Sequence, residues 1–333
     1  MKPSNISIIK ITIFVLIGIL FGGSLVVYSN SRGSVSHDRP AYDEEYSGNE
    51  YDDATRRYEK VFTVKEGGLV KVDADAGSVD IDSWDKNEVS VVVEIEGSDS
   101  RVGKYVVDFD QDGNTVYIKG KIRDRSFFHW NFGNISAHYT IFTPKKFSCD
   151  VKTSGGTIDT KNITGKTDLV TSGGDVRVEN VNGRVYASTS GGDVETSEIT
   201  GDVVAETSGG SVRCDGVEGN FDGSTSGGDV RAENVNGKVQ ASTSGGSIKI
   251  TLAGENHGVD AGTSGGNIDI YVKKDITADV DAETSGGSVD CELPIVVKGS
   301  VHETELHGKI NGGGNLIHAG TSGGSIRIGV IKW

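Results

Sequence analysis

Proline is almost missing from this chain: 4 residues in 333, against 48 glycines. With no Gly-x-y triplet, that ratio excludes collagen-like structure and assigns the glycines to turns rather than to disorder. Cysteine is sparse and odd in number (Cys149, Cys214, Cys291), so a disulfide framework is not supported. Cys214 and Cys291 each stand four residues after a Gly-Gly pair, where neighbouring repeats carry Val or Ala, and read as small buried hydrophobes. Positive charge is in deficit. The 33 Lys and Arg against 48 Asp and Glu leave a net charge of −15, which argues against a nucleic-acid partner, because binding phosphates needs clustered Lys and Arg. It suits a soluble, self-repelling surface outside the cytoplasm. Apolar spacing of three and four, the mark of a helix, does not recur. Seven His offer no closely spaced metal pair; His302, His307 and His318 fall in an irregular coil. Long apolar runs are confined to one, Ile11–Tyr28.

What is present is a beat. Thr-Ser-Gly-Gly opens at Thr153, Thr171, Thr189, Thr207, Thr225 and Thr243, at one unvarying interval of eighteen, and returns less regularly at Thr263, Thr284 and Thr321. Within each interval lies its half, with glycines at every ninth position from Gly156 to Gly246. Each glycine is followed by x-apolar-x-small, as in Val176/Val178, Val185/Ala187, Val194/Thr196 and Val212/Cys214. Alternation with period two is a strand with one face buried, so each half-interval gives a short strand and a turn, and the full interval gives two strands. A fixed short period over this length is the signature of a repeat architecture. The fold class read from it is all-β: a parallel β-solenoid of 18-residue coils. A three-sided, 27-residue coil is the rival, since Thr171–Ser188 recurs at Thr225–Ser242 with only three substitutions, an offset that both coil lengths divide. At about 4.8 Å per coil, eight to ten coils make a rod on the order of 40–50 Å long, with ends that need caps.

The chain divides into five segments. Residues 1–10 are a short N-terminus carrying Lys2 and Lys10, and 11–28 read as one transmembrane helix acting as a signal anchor. That places the N-terminus inside and the bulk of the chain outside the cell membrane. Cleavage after Ser29-Asn30-Ser31 would instead give a secreted protein. Residues 29–58 read as an acidic, disordered tether. Residues 59–148 form an irregular β region with strands at 61–64, 69–72, 79–81, 89–95, 105–109, 116–122 and 138–142, capping the solenoid. The solenoid proper is 149–333, with Gly324–Trp333 expected to seal its far end.

Gly77-Ser78-Val79-Asp80-Ile81-Asp82-Ser83-Trp84-Asp85-Lys86-Asn87-Glu88-Val89-Ser90-Val91 resembles the signature of the bacterial "putative adhesin" β-strand-repeat family. So does Thr143-Pro144-Lys145-Lys146-Phe147 ahead of a Thr-Ser-Gly-Gly array, and the likeness covers roughly residues 60–333. The resemblance implies a parallel β-solenoid outside a bacterial cell, often behind a membrane anchor and sometimes encoded with envelope-stress genes. It supplies no catalytic motif.

Four constellations bear on function. The column after each tetrad, Asp175, Asp193, Ser211, Asp229 and Ser247, stacks acids that Arg177, Arg213 and Arg231 can pair. A calcium solenoid shares the nine-residue beat, but its third glycine is missing here. The Thr-Ser column resembles an ice-binding hydroxyl ladder only loosely, because hydroxyls beside turns bond local backbone. Phe127, Phe128, Trp130 and Phe132 form the densest aromatic cluster, read either as a cap on the open end or as a binding surface for glycan, partner or membrane. Parallel β-helices also serve polysaccharide lyases and hydrolases, but glycoside hydrolysis needs two carboxylates gathered in a cleft, and these acids are spread along ladders. The glycines precede strands, not helices, so no phosphate-binding loop is present. No catalytic residue, cofactor or metal is assigned. The function expected is a non-enzymatic, membrane-anchored, extracytoplasmic adhesin-like module whose partner is an envelope glycan or a membrane protein. An envelope-stress accessory that binds a membrane partner is the alternative, and a glycan-active enzyme the more remote one.

Overall fold

The computed structural model describes residues 25–29, 53–123, 135–252, 254–297 and 302–332. Among them lie two 14-stranded sheets and a single helical turn, Asp99–Val102. The register decides the coil length. Ile158 lies beside Val176, Val176 beside Val194, Val194 beside Val212 and Val212 beside Val230, each pair parallel and one tetrad interval apart in a single sheet. In the other sheet Thr167, Val185, Val203, Phe221 and Val239 follow one another by the same step. Each coil therefore has two strands, one per sheet, and the three-sided form is excluded. Two later coils lengthen the step slightly, Val239 to Val259 and Ile248 to Ile268, without losing the stack.

The core is the thin space between the sheets. Val176, Val194, Val212, Val230, Ile248, Ile268 and Ile326 form one fully buried column, and Val185, Ala187, Val203 and Ala205 face it from the other sheet. Each fully buried Val or Ile contributes roughly 1.5–3 kcal/mol. The second glycine of the tetrad is enforced by stacking: a Cβ on Gly174 would stand 2.2 Å from the carbonyl of Gly156 in the preceding coil. Gly183 meets Gly165 at the same distance, and its φ of +153° adds a backbone preference.

The chain does not stack in sequence order at the ends. At the N-terminal end, Gly68–Ala74 and Ser78–Trp84 form a coil held between 115–122 and 135–144 on its outer side and 147–164 on its inner side. At the other end, Leu316–Thr321 and Ile326–Val330 slot between 259–272 and 278–291. The C-terminal segment thus fills a gap inside the stack and does not seal it, contrary to the sequence expectation. The alternation that makes it a good coil says nothing about which coil it follows. Antiparallel strands close both ends: 53–63 on 88–98 on 135–144, 105–112 on 115–122, and 295–297 on 305–310 on 278–284. Such pairings cover three of the four sheet edges that would otherwise recruit another chain; the fourth is 289–291, which ends its sheet beside the parallel strand 326–330.

Two further expectations change. Asp53–Thr63 is one strand, so the last six residues expected in the tether are paired, and Tyr58 is buried. Charges at Arg56, Arg57 and Glu59 mask an alternation that seats Tyr58 and Phe62 inward. Leu25–Ser29 is a strand antiparallel to 55–59, so Leu25–Tyr28, expected to end a membrane helix, pair along a sheet edge instead. Val26 and Val27 are β-branched and suit that edge. Residues 11–24 lie outside the described residues, among which no helix is long and apolar enough to cross a membrane.

Candidate functional site

The turn columns are structural. Asp193 donates its amide to Asp175 Oδ1 (3.0 Å), and the amides of Ser211, Asp229, Ser247, Asn267 and Ser325 each reach the side chain one coil back. Asp, Ser and Asn share one property, a polar acceptor close to the backbone, and that is what this position selects. The acids are therefore hydrogen-bonded in series, with no calcium needed to account for them. The Thr hydroxyls are buried and donate to the second glycine carbonyl of the preceding coil, as in Thr189 to Gly174 (2.7 Å) and Thr207 to Gly192 (2.8 Å). They present no outward hydroxyl face.

Outside the first sheet runs a cross-strand row: Asp159, Arg177, Glu195, Arg213, Arg231, Lys249, Asp269 and Arg327. Its cations are consumed locally. Arg177 pairs with Asp175 (2.6 Å), Arg213 with Asp193 (2.7 Å) and Glu195 (3.2 Å), and Arg231 and Lys249 share Glu233 (2.8 and 3.0 Å). The Ser211 amide and the Arg213 guanidinium hold the Asp193 carboxyl below the usual carboxylate range. Partial burial pushes Asp159 the other way. Such exposed pairs contribute little stability individually.

Cys149 and Cys214 are buried, and desolvation pushes each thiol up to about 12. Cys214 is an inert small hydrophobe, as expected from its place in the repeat, whereas Cys291, at the matching place, is only half-buried.

One outward region is apolar. Trp84 and Phe142 stack with ring centroids 5.4 Å apart and planes at 22°. Phe142 is 36% exposed, and Val61, at 57%, lies beyond Ser90 in the same cross-strand row. The Trp84 indole donates to the Glu88 carbonyl (2.8 Å), which fixes its plane, and the Lys86 ammonium sits 4.2 Å from its ring centre. Lys145 with Asp85 (2.8 Å) and Asn162 with Asp82 (2.8 Å) supply a polar rim. The ledge spans four adjacent strands, about 14 Å across. It is held by hydrogen bonds and stacking, so its aromatic faces need no ordering on contact with a ligand.

The aromatic cluster expected to serve as surface or cap, Phe127, Phe128, Trp130 and Phe132, lies outside the described residues. The Trp84–Phe142 ledge was not read from the sequence as a site. Its rings are far apart in sequence, and only the parallel pairing of 78–84 with 135–144 brings them together. A residue pattern exposing Phe142 where Tyr139 and Ile141 are buried was the available signal.

Short parallel strands stacked coil on coil in two facing sheets define a β-solenoid. The chain belongs to the Toastrack DUF4097 family, whose model matches residues 69–329. The resemblance drawn from 77–91 and 143–147 agrees with that match. No curated protein matches the chain significantly. It is similar to a solved structure described as a "putative lipid binding protein" from Parabacteroides distasonis ATCC 8503, with 14% identity, covering 83% of this chain and 97% of that one, TM-score 0.42. It is also similar to a "putative adhesin" from Bacteroides fragilis NCTC 9343, with 16% identity, 82% and 96% coverage, and TM-score 0.35. A third, a "putative adhesin" from Parabacteroides merdae ATCC 43184, shares 11% identity over 83% and 96%, TM-score 0.33.

Proposed function

We propose that this chain is a non-enzymatic, adhesin-like binding module that works outside the cytoplasm, held near the membrane by its apolar N-terminal segment, and that it engages an envelope glycan through the Trp84–Phe142 ledge. The observation that carries this reading is the ledge itself: two stacked, partly exposed rings with a fixed indole plane and a rim of Lys86, Lys145, Asp82 and Asp85. Flat apolar faces of sugar rings stack on aromatic planes, and adjacent hydroxyls take the polar rim; nothing in such contact requires chemistry. The outward carboxylates of Asp175, Asp193 and Glu233 support a non-catalytic role, because they pair with Arg177, Arg213 and Arg231 along a flat ladder, whereas glycoside hydrolysis needs two carboxylates gathered in a cleft.

The test is incubation of the full chain with envelope polysaccharides, reading binding and released reducing ends together. Saturable binding without product supports the reading. Product formation returns the chain to the enzymes, and capture of one membrane protein with no glycan binding moves it to the envelope-stress alternative.

A further inference from the structure

His307 and His318 lie on strands that flank Asp281 from opposite sides, His307 on the antiparallel neighbour and His318 on the parallel one. His307 Nδ1 stands 2.8 Å from Asp281 Oδ1, and its Nε2 stands 3.7 Å from Glu283 Oε1. His318 Nδ1 is 3.4 Å from the other Asp281 oxygen. One donor atom from each of Asp281, Glu283 and His307 lies within 4.8 Å of the other two. Ligand atoms around a tetrahedral ion at about 2.0–2.2 Å are about 3.3–3.6 Å apart, so closing this set requires only small side-chain rotations. Glu283 also faces Glu305 directly across the antiparallel pair, an arrangement of like charges that is unfavourable in the absence of a cation.

We propose that Asp281, Glu283 and His307 form a binding site for a divalent transition-metal ion of the zinc class, with His318 fixing the Asp281 carboxylate from its far side. Imidazole among the donors selects zinc-type ions over calcium or magnesium, which take oxygen ligands. Two carboxylates and one neutral imidazole match the ion's charge and leave a fourth position for water. The ion would cross-link 278–284 to 305–310, with 316–321 held alongside through His318. The site therefore lies where a coil has been inserted out of sequence order, and metal binding would lock that insertion and the cap together.

The full chain, freed of any polyhistidine tag and stripped with chelator, is titrated with Zn²⁺ by calorimetry and with Co²⁺ by visible absorption. One equivalent should bind, with a rise in thermal midpoint. Affinity should fall at least tenfold in His307→Gln and in Asp281→Asn, and remain unchanged in His257→Gln. In ¹⁵N-histidine-labelled parent chain, Zn²⁺ should move the His307 imidazole signals and not those of His257. This readout tests the site even where a variant fails to fold. No stoichiometric binding by the parent chain, binding that survives both substitutions, or an unmoved His307 ring overturns the proposal.

Discussion

The ring of Phe221 occupies the space where a side chain at Gly223 would begin: a Cβ built on Gly223 would stand 2.4 Å from the Phe221 Cζ. The coils on either side carry Val203 with Ala205 and Val239 with Ala241 at the same two positions. One large residue is thus balanced by one missing methyl in a core too thin for slack. Gly223→Ala alone should cost about 1–3 kcal/mol through overpacking. Adding Phe221→Val recreates the neighbouring coils and should recover most of that loss. Urea midpoints of the four-member cycle measure the coupling; additive effects would contradict the packing account.

Glu198 is the misfit of a second column. Asn162, Asn180, Gly216 and Asn234 occupy its place in other coils, all with positive φ, and Glu198 adopts φ 55° among them. Left-handed backbone is costly for most side chains and mild for Asn. Glu198→Asn should therefore stabilise by about 0.5–1 kcal/mol, read as a higher denaturant midpoint with unchanged slope. A loss of stability would mean that the glutamate makes a compensating contact.

Buried threonines should respond in opposite directions. Thr207 donates to the Gly192 carbonyl and accepts from the Gly210 amide, so Thr207→Val should cost about 1–2 kcal/mol. Thr167 is equally buried, between Cys149 and Val185, but its hydroxyl has no partner. Thr167→Val should stabilise by about 1 kcal/mol. Equal signs for the two would show that the tetrad hydrogen bond is not what retains threonine.

Acid should uncouple the Arg213–Asp193 pair. The folded Asp193 carboxyl is held below its ordinary value, so its stabilisation is complete above the unfolded range near about 3.9 and is lost as pH falls through the folded value. Asn at this position still accepts the next amide, as Asn267 does from Ser325 (2.8 Å), so Asp193→Asn removes charge and little else. The stability gap to the parent, less than about 1 kcal/mol at this partly exposed site, should be level above about pH 5 and close in acid. A gap that persists at low pH would place the effect in the geometry.

The inserted C-terminal coil makes truncation informative. Removing residues 315–333 leaves 259–272 and 278–291 without the strands between them. Amide exchange should show both flanking coils losing protection together, whereas a simple end cap would expose only the outermost one.

The sequence makes the repeating middle legible because every coil repeats one local solution: a buried apolar pair, a tight turn with glycine enforced by its neighbour, and a short polar acceptor. The reading of Asp175, Asp193 and Asp229 as salt-bridged acids holds in part, since Arg177 and Arg213 do pair with two of them. It misses the amide-to-side-chain ladder, which the mixed Asp, Ser and Asn column already encodes. The ends are not legible. Whether Ile326–Val330 follows 289–291 or precedes it depends on which exposed edge it finds, and alternation is the same on either. Trp84 with Phe142, and Asp281 with His307 and His318, are both products of those non-sequential pairings.

The most direct measurement of the functional account is saturation binding of the full chain and of Trp84→Ala/Phe142→Ala to isolated cell-envelope glycan, with circular dichroism confirming that both are folded. Loss of at least tenfold in affinity in the double variant, with its β spectrum intact, is the expected result. Equal affinity in a folded double variant would contradict the ledge as the binding surface and, with it, the reading of this solenoid as a glycan-engaging module.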